Sequence, residues 1–93
     1  KTAQVKTTIE LNVFPLPFNQ QLNIQLNNPA KTDQVQVSLM DITGKTIINW
    51  GERTINSGDN QLSLRLNEAL PSGIYILNIK GELIESSQKV VKN

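Results

Sequence analysis

The stretch LPSGIYILNIKG, residues 70–81, decides the fold. Pro71-Ser72-Gly73 is a turn signal, and residues 74–79 then run apolar on both faces, as a central strand does. Such a strand needs neighbours, and the sequence supplies them on either side. Ile9, Leu11 and Val13 alternate with Glu10 and Asn12, and Leu22, Ile24 and Leu26 with Asn23 and Gln25. Val35, Val37 and Leu39 alternate with Gln36 and Ser38, and Leu62, Leu64 and Leu66 with Ser63 and Arg65. This period of two predicts strands with one wet face. Residues 45–50 read as a shorter strand, and residues 83–91 as a closing strand with a weaker pattern.

Breakers separate these runs: Asn27-Asn28-Pro29, Thr43-Gly44, residues 56–60 and Pro71-Ser72-Gly73. Only residues 66–70 have room for a helical turn. About seven short strands in 93 residues predict an all-β chain, an Ig-like antiparallel β-sandwich, with a small closed barrel as the alternative. The first eight residues, KTAQVKTT, lack a strand-length apolar pattern and read as a linker, leaving residues 9–93 as the domain.

Composition narrows the function. One core is all that a chain of this length supports. There is no cysteine and no histidine, which removes disulfides, the usual zinc sites and any Ser-His or Cys-His nucleophile within the chain. Nine basic residues stand against eight acidic ones and are scattered from Lys1 to Lys92, whereas a nucleic-acid footprint would cluster them. The 11 asparagines and 8 glutamines outnumber the charged residues, a lean toward a secreted or surface module. The longest aliphatic and aromatic run, residues 74–77, is far short of the ~20 residues of a membrane-spanning helix. The chain starts at Lys1, its only methionine is Met40, and no apolar signal region stands at the front, so a fragment of a longer precursor, with its export signal upstream, is expected.

Candidate chemistry is sparse. Asp41, Glu52, Asp59 and Glu68 sit in or beside turns, where carboxylates bond the local backbone. Residues 56–60 offer one carboxylate and some amides, a plain turn rather than a calcium loop. No cofactor is implied. Of the four aromatics, Phe14, Phe18 and Tyr75 read as core or turn-packing residues, and Trp50, beside Gly51 at a strand end, as an ordinary packing residue that is also the one candidate for an exposed carbohydrate platform.

Four stretches carry more information by their order: FPLPFNQQLNIQL (residues 14–26), VSLMDITGK (37–45), LPSGIYILNIKG (70–81) and SQKVVKN (87–93). Together they resemble the C-terminal sorting domain, type A, of the type IX secretion system of Bacteroidetes-type bacteria. Phe14, Pro15, Pro17 and Phe18 match the family's opening, with Leu16 where asparagine is common. Asp41, Gly44 and Lys45 match its strand-turn-strand motif, Gly73 and Tyr75 its Gly-x-Tyr strand start, and the residues from Lys89 to Lys92 its basic-aliphatic tail. Each match also has a structural reading. Pro15 and Pro17 end a strand and bend the chain; Gly44 permits a positive φ with Asp41 bonding the turn; Gly73 lets the chain enter the sheet; Tyr75 buries its ring while its hydroxyl reaches the rim.

The resemblance implies a non-enzymatic domain that addresses its cargo from the periplasm through the type IX outer-membrane translocon to the cell surface or beyond. There a sortase-like cysteine protease usually cuts in the linker. Its partners would be translocon or shuttle proteins, and its recognition candidates Gln88, Lys89, Val90, Val91 and Lys92 in the tail. If residues 83–91 form an edge strand, they could accept a partner strand or pair two copies of the domain. Two other classes remain open: an Ig-like adhesion or carbohydrate-binding module, and an uncleaved anchoring domain of a secretion-machinery component.

Overall fold

The apolar run of residues 74–79 lies at the heart of the larger of two sheets. A computed structural model describes residues 6–93, among which eight strands and no helix form. The strands are β1 (Thr7–Thr8), β2 (Leu11–Phe14), β3 (Gln21–Asn28), β4 (Asp33–Met40), β5 (Thr46–Ile55), β6 (Gly58–Arg65), β7 (Gly73–Gly81) and β8 (Ile84–Lys92). One sheet has the order β1-β8-β7-β4-β5 and the other β2-β3-β6. Every pairing between strands is antiparallel except that of β1 with β8. The chain crosses from sheet to sheet four times, at residues 9–10, 29–32, 56–57 and 66–72, which makes an all-β sandwich of the expected Ig-like kind.

Period-two patterning explains the core. Leu22, Ile24 and Leu26 from β3 and Leu64 from β6 face Val35, Val37 and Leu39 from β4 and Tyr75, Leu77 and Ile79 from β7. Ile48 and Ile55 from β5 and Ile84 and Val90 from β8 close the sides. The closing strand reads weakly because two of its inward positions are polar: Ser86 is buried and Gln88 half-buried.

Several boundaries differ from expectation, each for a local reason. The alternation at Ile9, Leu11 and Val13 is continuous in sequence, yet the chain changes sheets within it, pairing Thr7 and Thr8 with β8 and residues 11–14 with β3. Residues 1–5 of the expected linker lie outside the described residues. β5 runs on past Trp50 because the ladder skips that residue, a bulge followed by Gly51 at φ +82°. Asn27 and Asn28 belong to β3, and the break comes at Pro29. Residues 66–70 bend without forming a helical turn. β7 is central in its sheet, but only Tyr75, Leu77 and Ile79 face the core; Ile74 and Ile76 lie on the outer face.

Candidate functional site

Four chain segments meet at one end of the sandwich, where β2, β4, β6 and β8 finish and β3, β5 and β7 begin. After Phe14, neither Pro15 nor Pro17 has an N–H to offer a ladder, and the chain leaves the smaller sheet. It arrives beside β8, where the Phe18 N–H donates to the Val91 carbonyl (2.9 Å) and the Asn93 N–H donates to the Phe18 carbonyl (2.8 Å). The Phe18 ring is fully buried. This segment therefore fastens the small sheet to the last strand of the large one. Of the core and turn-packing roles expected for Phe14, the core one falls away: Val13 takes the inward position, and Phe14 stands 36% exposed on the outside where the chain turns at Pro15.

The β4–β5 turn is built from Asp41, Gly44 and Lys45. The Gly44 N–H donates to the Asp41 carbonyl (3.0 Å), Gly44 adopts φ +91°, and the Asp41 N–H donates to the Lys45 carbonyl (2.9 Å). The Asp41 Oδ1 accepts from the Thr43 hydroxyl and from the amides of Thr43 (2.9 Å) and Lys45 (3.1 Å). The Thr43 hydroxyl, then these amides and the Lys45 charge, outweigh slight desolvation and hold the Asp41 carboxyl below its ordinary value.

At the start of β7 the Tyr75 ring is buried and its hydroxyl donates to the Pro71 carbonyl (2.7 Å). This is the tyrosine corner of Ig-like sandwiches, a strand-start tyrosine tied to backbone a few residues upstream. Gly73, at φ +150°, pairs with Lys92, and Lys92 on its other side bridges to Phe18. Gly73, Lys92 and Phe18 thus stand abreast, and Val90 lies opposite Tyr75.

The tail has two faces. Val90 is wholly buried and Gln88 half-buried, its side-chain amide donating to the Lys89 carbonyl (3.2 Å). Lys89 and Val91 point outward. Val90 therefore serves the core, which removes it from the accessible recognition surface. Nor is β8 an open edge along its length. The Thr7 and Ile9 amides donate to the carbonyls of Leu83 (2.8 Å) and Glu85 (3.1 Å), and Phe18 covers the other end. Among the described residues, the outward backbone groups of Ser87 and Lys89 lie between these two covers.

Three polar residues missed in the sequence hold the opposite end. The Asn28 side chain donates to the carbonyls of Lys31 (3.1 Å) and Asn56 (3.3 Å) and accepts from the Ala30 N–H (2.8 Å), tying two sheet crossings together. The Ser86 hydroxyl donates to the Ile9 carbonyl (2.7 Å) where the chain changes sheets. Buried Asp33 accepts from the amides of Leu83 (2.8 Å) and Ile84 (3.2 Å), closing the β7–β8 turn. Burial alone would raise its carboxyl, but the amides of Leu83, Ile84, Glu82 and Gln34 outweigh it and hold it below its ordinary value. The signal for all three was a polar residue on the buried phase of an apolar alternation. Among the described residues no buried side-chain polar atom lacks a partner.

Trp50, Asp59 and the turn at residues 56–60 have structural roles. Trp50 is half-buried against the core and its indole N–H donates to the Arg65 carbonyl (2.9 Å), so it bridges β5 and β6 and is no free platform. Asp59 accepts from Asn27 (2.9 Å). Asn60 bonds both ends of the turn at residues 56–58. Among the described residues no group of three His, Cys, Asp or Glu side chains is placed to hold a metal ion, and no helix is long and apolar enough to cross a membrane. A shallow groove beside β2 and β3 is lined by Asn12, Gln25, Asn27 and Asp59, whose side chains bond one another in pairs.

Comparison with known proteins bears on what these four segments are for. No curated protein matches the chain. The family model described as the secretion system C-terminal sorting domain matches residues 12–93, which includes all four segments gathered at this end. That family is a sorting signal rather than a class of enzyme, and it implies export toward the outer membrane or the extracellular space in contact with the secretion system. The chain belongs to the secretion system C-terminal sorting domain family, the sorting signals of type IX secretion.

Proposed function

We propose that this domain is a folded address: it directs the polypeptide that carries it from the periplasm through the type IX outer-membrane translocon. At the surface a sortase-like protease then removes it by cutting within or before residues 1–8, with residues 9–93 acting as the sorting unit. The observation that carries this reading is the match over residues 12–93, with all the motif residues converging on one end of the sandwich. The domain supplies no reacting group in this scheme. It works by being held.

Lys89, Val91 and Lys92, with the exposed part of Gln88, are the recognition side chains of the tail, and Lys89 and Lys92 steer an acidic partner. The gap between the two covers of β8 is where a shuttle protein's strand would add, at Ser87 and Lys89. Removing residues 88–93 would be a poor test, because it also deletes Val90 and the two bonds to Phe18. The better one fuses residues 1–93 to a periplasmic reporter in a host that has the system. A surface reporter whose mass lacks the domain is expected. A reporter that stays in the periplasm refutes the reading, and one that reaches the surface with the domain still attached identifies an uncleaved anchor instead.

A further inference from the structure

We propose that the face formed by the β4–β5 turn, the start of β7 and the end of β8 docks a protein partner that presents apolar side chains ringed by carboxylates. This deepens the sorting-signal reading and rests on it.

The exposed apolar residues are segregated. Five large apolar side chains stand exposed among the described residues: Phe14 (36%), Leu16 (44%), Ile42 (72%), Ile74 (46%) and Val91 (42%). All five belong to the end of the sandwich where β2, β4 and β8 finish and β7 begins. Two of them, Ile74 and Val91, stand side by side on one outer face, and Ile42 stands on the adjoining turn. Ile74 pairs with Val91, and the next row across the sheet is Met40, Ile76 and Lys89. Ile42 lies two residues beyond Met40, at the turn tip. One row further along the same outer face the residues are Ser38, Asn78 and Ser87, all polar. The face therefore changes from apolar to polar within one step of the pleat.

The fold has no use for these side chains. Asp41 and Gly44 hold the turn by backbone and carboxylate bonds that need nothing from Ile42, and the inward neighbours Tyr75 and Val90 do the packing beside Ile74 and Val91. An apolar cluster that leaves the core complete without it is the signature of a contact surface.

Charge selects the occupant. Lys45, Lys89 and Lys92 stand by this face against Asp41, whose carboxylate is engaged by its own turn, while Arg65 and Glu68 share the end but belong to the outer face of the small sheet and to the crossing that leaves it. The rest of the described chain holds the remaining four cations and six carboxylates. A second copy would bring the same positive excess to the contact and be repelled, whereas a carboxylate-rimmed protein surface complements it. The chain enters at the opposite end, at Thr7, and strands of eight to ten residues separate the ends by roughly 25–33 Å.

The test uses the reporter fusion, with Ile42→Asp and Ile74→Asp singly and together, and Gln36→Asp and Thr54→Asp as controls at the far end of the same outer face. A photo-crosslinking residue at position 42 of the otherwise unaltered fusion gives an independent readout. The double variant should keep its circular dichroism and melting temperature, and surface reporter should fall by about tenfold or more, as when a contact hot spot is lost. The controls should export normally. Position 42 should cross-link to a protein of the export machinery, and the Ile74→Asp change should abolish that adduct. A folded double variant exported within about twofold of the parent, or an adduct only to lipid or to a second copy of the chain, overturns the docking face while leaving the sorting reading intact. A parent fusion that never leaves the periplasm overturns both.

Discussion

Replacing Gly81 with alanine is expected to destabilise the domain by roughly 3 kcal/mol, although nothing in its backbone conformation demands glycine. Gly81 faces Val35 across the β7–β4 pair, at the point where Asp33 reaches over to close the β7–β8 turn. An added Cβ would fall inside the Asp33 Oδ2 atom's envelope, 2.8 Å from Val35 Cγ1 and 2.9 Å from Asp33 Cγ. Val35 is locked in the core, so the carboxylate must move. Overpacking costs about 1–3 kcal/mol. A displaced carboxylate also leaves the Leu83 and Ile84 amides unpaired, at about 1–3 kcal/mol for each that water cannot reach. For a domain of this size the sum lowers the melting temperature by roughly 12–24 °C. Urea unfolding followed by the fluorescence of Trp50, the only tryptophan, would show a lower midpoint with an unchanged slope. Asp33→Ala should cost about 2 kcal/mol alone, and the double variant should fall short of additivity by at least about 1 kcal/mol because the clashing partner is gone. A Gly81→Ala protein melting within about 2 °C of the parent, or a strictly additive double variant, would refute the argument.

Asp33 also gives the fold an acid limit. Its folded carboxyl titrates below the unfolded value near 3.8, so its contribution is complete above that value and is lost as pH falls through the folded one; Asp33→Asn should flatten the loss of urea midpoint between about pH 5 and pH 2. Tyr75→Phe removes only the bond to the Pro71 carbonyl and should cost about 0.5–1.5 kcal/mol in the same assay. Gly44→Ala forces a side chain to φ +91° with open space around it, so its cost of about 1–2 kcal/mol is backbone strain alone; an unchanged midpoint would mean the turn relaxes. In the tail, Val90→Ala should lower the urea midpoint, whereas Lys89→Glu should leave it unchanged and reduce export of the reporter.

Most of the architecture was legible because alternation reports which face is buried. Residues 22–26, 35–39 and 62–65 fell on their strands with the right face inward, and Leu66 is buried just past the end of its strand. What alternation cannot report is which sheet a strand joins. Ile9 and Val13 keep the same phase and both are buried, but the chain passes from β8's edge to β3's edge between them, where the Ile9 amide bonds the Glu85 carbonyl and the Ser86 hydroxyl bonds the Ile9 carbonyl. Gly51 concealed the length of β5 in the same way, since a glycine that permits a bulge looks like one that ends a strand. The motif residues were legible as turn chemistry, down to the Tyr75 hydroxyl at the rim. Their convergence was not, because residues 18, 41, 73 and 92 are brought together by pairings that span most of the chain.

On the proposed reading, that convergence lets a short tail serve both fold and recognition. In β8, the even positions from Ile84 to Val90 turn inward, and the odd ones carry the outward side chains and the outward backbone groups. Val90 completes the layer against Tyr75 while Lys89 and Val91, its immediate neighbours, remain on the surface. Loss of the tail as a whole therefore cannot separate misfolding from failed recognition, since the same cut removes both faces. Substitution by parity can: inward changes are expected to act on stability first and on export only through it, and outward changes on export with the fold intact. The apolar residues Ile74 and Ile42 adjoin the outward set alone, so a partner gripping them reads a surface that exists only when Phe18, the Asp41 turn and the Tyr75 corner have closed around β8. An unfolded chain carries the same residues but not that surface, so under the proposed reading correct folding of the address is a condition of its being read.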